Sequence, residues 1–156
     1  MNRAVALGIG AAVLAGAAVL AFSWGTSAPA GTTLYPLDPD VVARGQEVYA
    51  DNCAACHGAN LEGQPNWRAP GADGRLPAPP HNATGHTWHH DGDTLFRLTK
   101  YGAGALIGDP DYESNMPIYE DVLTDDEIIA VLSYIKSTWP RDIRDRHDVM
   151  ERNRPE

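Results

Sequence analysis

At 156 residues the chain has the length of one domain, and 43% hydrophobic with 21% charged residues excludes both a polytopic membrane protein and a disordered chain. Its formal charge of -9, from 12 Lys+Arg against 21 Asp+Glu, argues against nucleic-acid binding, which rewards a basic face, and suits partners with a basic patch. Two cysteines permit at most one internal disulfide, too few for a disulfide scaffold.

Residues 4 to 22 read AVALGIGAAVLAGAAVLAF and carry no charge. As a helix they span about 28 Å, close to the ~30 Å hydrocarbon core of a bilayer. Ala28-Pro29-Ala30 also offers a small-x-small cleavage pattern before Gly31. Residues 1–30 are therefore read as an uncleaved transmembrane anchor or a removed signal peptide. Either sends the rest of the chain across a membrane, and Arg3 on the amino side agrees with the positive-inside tendency. Small residues, Gly and Pro then make a linker that ends with residues 31–37.

Three helices are predicted in the domain that follows, residues 38–140. The first opens at Asp38-Pro39, a cap followed by proline in the first turn, and runs to about Asn52. Its Val41, Val42, Gly45, Val48 and Tyr49 recur at three-and-four spacing. The second covers Asp93 to Tyr101, with Leu95, Phe96 and Leu98 inward and Gly102 as its stop. Thr124 and Glu127 form a capping box for the third, whose stripe includes Ile128, Val131, Leu132 and Ile135 before Pro140 closes it. No stretch alternates with period two, so the fold class is all-α. Three helices bury one another poorly, and the long Gly- and Pro-rich loop from 58 to 92 needs something to fold around. A large apolar ligand would complete the core.

Both cysteines lie in Cys53-Ala54-Ala55-Cys56-His57, directly after the first helix. A thioredoxin-like redox pair would need a strand before it, and a structural zinc would need a second ligand pair. The histidine that follows at once points to a c-type haem, with Cys53 and Cys56 adding across two vinyl groups and His57 facing the iron. Met116 lies 59 positions after His57, in SNMPIY, and a thioether opposite an imidazole is the usual ligand pair of electron-transfer c haems. Met1 and Met150 stand in the export segment and the charged tail, and Pro117 stiffens the Met116 loop.

These pieces, GQEVYADNCAACHG, the MP segment and LTDDEIIAVLSYIKSTWP, resemble a class I cytochrome c over about residues 38 to 140. The PAPPHNATGHTWHHDGDTLFRLTKYG segment is similar to a membrane-anchored bacterial branch of that family. The resemblance implies a few helices and long loops wrapped around one covalent haem c. It implies that the amino- and carboxy-terminal helices cross at Gly45 and Tyr49 against Tyr134. It also implies a proline-region carbonyl for the second ring nitrogen of His57, from Pro77, Pro79 or Pro80. Trp88 and Arg97 are the candidate donors to the haem propionates.

His81, His86, His89 and His90 fall within ten residues and raise a second metal site, with copper as the candidate ion, as the sharper reading; a polar loop beside the haem is the plainer one, and the spacing favours it. Residues 141–156 mix both charge signs with almost no apolar stripe and are read as a solvated helix or unordered tail. The expected function is electron transfer by one six-coordinate His/Met haem, with transient docking of redox proteins at a haem edge near Cys53 and Cys56 and no small-molecule substrate. The expected location is a bacterial inner membrane facing the periplasm, or the periplasm itself if the leader is removed. The rival readings are a peroxidase-like haem enzyme and a fixed cytochrome subunit of an oxidase or dehydrogenase complex.

Overall fold

The computed structural model describes residues 31–154, and the predicted anchor or signal at 1–30 lies outside them. Helix α1 spans Pro39–Asn52, and Oδ1 of Asp38 accepts from the amides of Asp40 (3.0 Å) and Val41 (3.2 Å) at its start. A one-turn helix α2, Ala54–His57, follows across Cys53, whose carbonyl accepts from the amides of Cys56 and His57. After the long loop comes a 3-10 turn at Thr87–His89. Helix α3, Gly92–Ile107, is capped by Asp91, and α4, Asp125–Ser137, by Thr124. Helix α5, Arg141–Arg152, starts directly after Pro140. No strand occurs among the described residues, and no helix there is long and apolar enough to cross a membrane.

The core is the meeting of α1 with α4. Gly45, Val48 and Tyr49 present one face of α1, and Ile128, Val131, Leu132 and Ile135 answer from α4. Burying each such aliphatic side chain contributes roughly 1.5–3 kcal/mol. Contact is close at Gly45, where a β-carbon would lie 2.0 Å from the Ala130 carbonyl oxygen and 2.8 Å from Tyr134 Cβ. Only glycine lets the two backbones approach this far. Tyr49 tilts against Tyr134 with ring centroids 5.5 Å apart, so the expected crossing of the two helices at a small residue and aromatics is present.

The second predicted helix does break at Gly102, whose φ of 83° is a conformation that favours glycine. Helical backbone resumes beyond it and runs to Ile107, which the apolar spacing did not indicate. The charged tail departs further from expectation. It is helical, but α5 is not simply solvated, because Ile143 and His147 are buried and the nearly buried Lys136 ammonium of α4 meets Asp148 of α5 at 2.6 Å. The short stripe escaped notice because one of its two buried members is a histidine. His147 Nε2 donates to the His90 carbonyl at 2.9 Å, and Trp139 Nε1 donates to that of His81 at 2.8 Å. Residues 139 to 147 thereby brace the histidine-rich loop from behind.

Candidate functional site

The CAACH stretch is one continuous turn leaving α1. Tyr49 of α1 donates from its hydroxyl to the Gly58 carbonyl at 2.9 Å, fixing where the turn ends. Cys53 is half-buried against the core and Cys56 is exposed, and the two are not joined in a disulfide. Burial, with Cys56 nearby, pushes the Cys53 thiol up to about 11.

His57 is buried, and its Nδ1 lies 2.8 Å from the Pro79 carbonyl oxygen. A carbonyl only accepts, so Nδ1 carries the proton and Nε2 keeps a bare lone pair. Of the three prolines considered from sequence, Pro79 is thus the partner. The Pro80 carbonyl instead accepts from Thr87 Oγ1 at 3.4 Å, and Pro77 lies in the preceding loop. Burial lowers the His57 pKa and the bond to Pro79 partly opposes that, so the imidazole is kept neutral, the form that ligates metal. Leu61 holds this arrangement from a left-handed backbone (φ 62°). Its carbonyl accepts from the amides of His81 (2.9 Å) and Asn82 (3.3 Å), while its side chain enters the core.

The four loop histidines do not converge. His81 stacks on His57 with centroids 3.9 Å apart and 27° between planes, and its Nδ1 donates to Thr87 Oγ1 at 2.9 Å. Burial, and then the nearby His57 and His86, hold its pKa well below the usual imidazole range. His86 stacks on Trp67 at 5.2 Å and meets His90 edge-on at 5.5 Å, while His89 stacks on Trp88 at 3.7 Å. Among the described residues, no group of three or more His, Cys, Asp or Glu side chains comes together to hold a metal ion.

Met116 is half-buried in the loop between α3 and α4, its amide donating to Ser114 Oγ at 3.1 Å. Three residues on, the Tyr119 hydroxyl donates to the Asn52 carbonyl at 2.6 Å, drawing this loop to the residue before Cys53. Burial raises the Tyr119 phenol, and the nearness of Cys53 and Cys56 adds to it. Trp88 is half-buried, and its Nε1 is covered yet bonded to no described atom. Arg97 is exposed on α3 and makes no hydrogen bond to the described residues. Arg75 was missed from sequence, because nothing local marks it; its covered Nε also lacks a described partner. A cleft of about 670 Å³ opens within the 65–77 loop between Trp67, Arg68 and Pro77, and none of the predicted haem ligands lines it.

The residues fit a covalent haem. Two free thiols and a neutral imidazole with an available Nε2 share one turn, and Trp88 offers a buried donor that lacks an acceptor.

The cytochrome c family profile matches residues 42–139, from the first helix to Trp139. The chain is 31% identical over 104 residues to the cbb3-type cytochrome c oxidase subunit CcoP of Rhodobacter capsulatus, covering 65% of this chain and 31% of that protein. It is 40% identical over 52 residues to the cbb3-type cytochrome c oxidase subunit FixPc of Rhizobium leguminosarum bv. viciae, covering 33% of this chain and 16% of that one. The match thus spans under a third of the length of these curated relatives. No solved structure matches. With an all-helical domain, a histidine turn suited to iron and a profile covering most of that domain, the chain belongs to the cytochrome c family.

Proposed function

We propose that this chain is a single-haem electron carrier, with Cys53 and Cys56 as thioether anchors and His57 Nε2 and the Met116 sulfur as axial ligands. The observation that carries the reading is the Pro79 carbonyl on His57 Nδ1, which orients the ring and leaves Nε2 available on the same turn as both thiols. One CxxCH in 156 residues supports one haem. When bound, that group supplies a one-electron iron couple. The protein's part is to hold the ring of His57 at a fixed angle, keep water from its buried face, and present Met116 from a loop tied down at Tyr119. A thioether ligand favours reduced iron and so raises the potential. Trp88 Nε1, covered and without a partner among the described residues, would donate to a propionate. If His57 and Met116 both held the iron, no open position would remain for a substrate, and the chain by itself would act as a carrier.

The test is the optical spectrum of ferric protein matured in a host that attaches haem c. A weak red band from sulfur-ligated iron is expected, and Met116→Ala should abolish it. A variant with an unchanged band refutes Met116 as ligand.

The named relatives favour a second reading, in which the domain is a fixed cytochrome subunit of an oxidase. Both readings place it on the outer face of a bacterial inner membrane, held or delivered by residues 1–30. Solubilised membranes separate them. Co-migration with an oxidase without crosslinking supports the fixed subunit, and migration alone supports the mobile carrier that meets redox proteins transiently.

A further inference from the structure

The loop bearing Met116 is tied down on both sides, and the second tie comes from far away in the chain. Residues 71–75 form a turn in which the Gly71 amide donates to the Arg75 carbonyl at 2.8 Å and the Arg75 amide donates to Asp73 Oδ1 at 3.1 Å. Its side chains reach over to residues 113–115. Arg75 Nη1 donates to Asn115 Oδ1 at 3.0 Å, and Arg75 Nη2 lies 3.3 Å from Glu113 Oε2. Asn115 Nδ2 donates back to Asp73 Oδ2 at 3.3 Å. Asn115 is therefore held through both ends of its amide, in the one orientation that satisfies donor and acceptor together. The bonds that Asp73 accepts from the Arg75 amide and from Asn115 hold its carboxyl below the usual range. Among the described residues, no other side-chain hydrogen bond joins the 58–80 segment to the 108–118 loop.

Met116 follows Asn115 directly, while Tyr119 anchors the other flank through its hydroxyl on Asn52 and its amide on the Thr99 carbonyl (3.2 Å). Between the two ties stand only Met116, Pro117 and Ile118, and proline fixes its own φ and restricts Met116 before it. Releasing the sulfur by swinging this short span requires one of the ties to open. The Tyr119 side is buried, but the Arg75 side is partly exposed, with side-chain exposures of 36% for Arg75 and 69% for Glu113. The exposed side is the one that yields first.

We propose that Arg75 and Asp73 are positioning residues for Met116, a two-loop latch whose closure keeps the methionine sulfur in the sixth ligand position. The proposal rests on the reading of Met116 as that ligand. Its strength comes from the Arg75 fork on Asn115 and Glu113, with the return bond from Asn115 to Asp73, so it is salt-sensitive, and its loss frees the span without touching the core.

The experiment uses full-length ferric holoprotein, with cyanide as the probe of an emptied sixth position. Arg75→Gln and Asp73→Asn are compared with Arg44→Gln, which removes a 2.6 Å ion pair to Glu127 at the α1–α4 side of the molecule. Far-UV circular dichroism confirms that all variants are folded. The latch predicts that R75Q and D73N retain the sulfur band yet bind cyanide about fivefold more tightly than wild type, whereas R44Q does not differ. Added salt should move wild type toward R75Q and leave R75Q nearly unmoved. Cyanide affinities equal in wild type, R75Q and D73N overturn the latch alone. A wild-type spectrum without the sulfur band overturns the ligand assignment, and the latch with it.

Discussion

His147 should make this domain lose stability on acidification in a window that a single substitution can isolate. The ring is 1% exposed, packed at 5.2 Å from Trp139, with Nε2 donating to the His90 carbonyl and Nδ1 covered and unpaired. Protonation would place a charged donor at Nδ1 with nothing to receive it. Burial, then the Lys136 ammonium, lowers its pKa from 6.5 to about 4, against the opposing pull of the His90 bond, Asp148 and Asp91. Glu151 Oε1, 3.6 Å from Nε2, is the remaining charged neighbour, and burial raises its own carboxyl. A histidine with a depressed folded pKa takes up its proton more readily when unfolded. Its contribution is whole above about pH 6.5 and is lost as pH falls toward 4, by about 2 kcal/mol at pH 5 and about 3 at pH 4. His147→Gln retains a donor and removes the titration. Urea unfolding of both holoproteins, followed by far-UV circular dichroism at pH 7 and pH 5, should show the wild-type lead shrinking by about 2 kcal/mol. Groups common to both proteins, such as Asp73, Asp91 and His81, cancel in that difference. A lead that stays constant between the two pH values refutes the reasoning.

Three further outcomes follow from packing and capping. Gly45→Ala drives a methyl into the Ala130 carbonyl and should lower stability by about 1–3 kcal/mol or more, read as a fall in thermal midpoint. Trp139→Phe keeps the ring packing but leaves the His81 carbonyl without its donor, so a loss of about 1–3 kcal/mol is expected in denaturant titration. Thr124→Ala removes the hydroxyl that accepts from the Glu127 amide at 3.3 Å and should cost about 1 kcal/mol, while Thr124→Asn should recover most of it.

What could be read from the residues was whatever rests on local chemistry. Asp38 and Thr124 announce helix starts because a cap acts within three residues, and both caps are present. The turn through CAACH is similarly local, whereas the crossing at Gly45, a contact with Ala130, was legible only through the family resemblance. The rest depends on contacts between distant segments. Nothing in the tail distinguishes a solvated helix from one that buries a histidine, since Ile143 and His147 are too few to make an apolar period. Lys136 looks like a surface residue until α5 brings Asp148 over it. Three prolines fall within four positions of one another, and only the path of the loop selects Pro79. Arg75 meets residues 113 and 115 with no signature in either segment.

The pairing of α1 with α4 also bears on how the protein is made. The helix leading into Cys53 is held mainly by a partner that begins at Asp125, so a chain emerging amino end first exposes its cysteines well before anything can close over them. Both thiols therefore stay accessible until the segment that forms α4 has arrived.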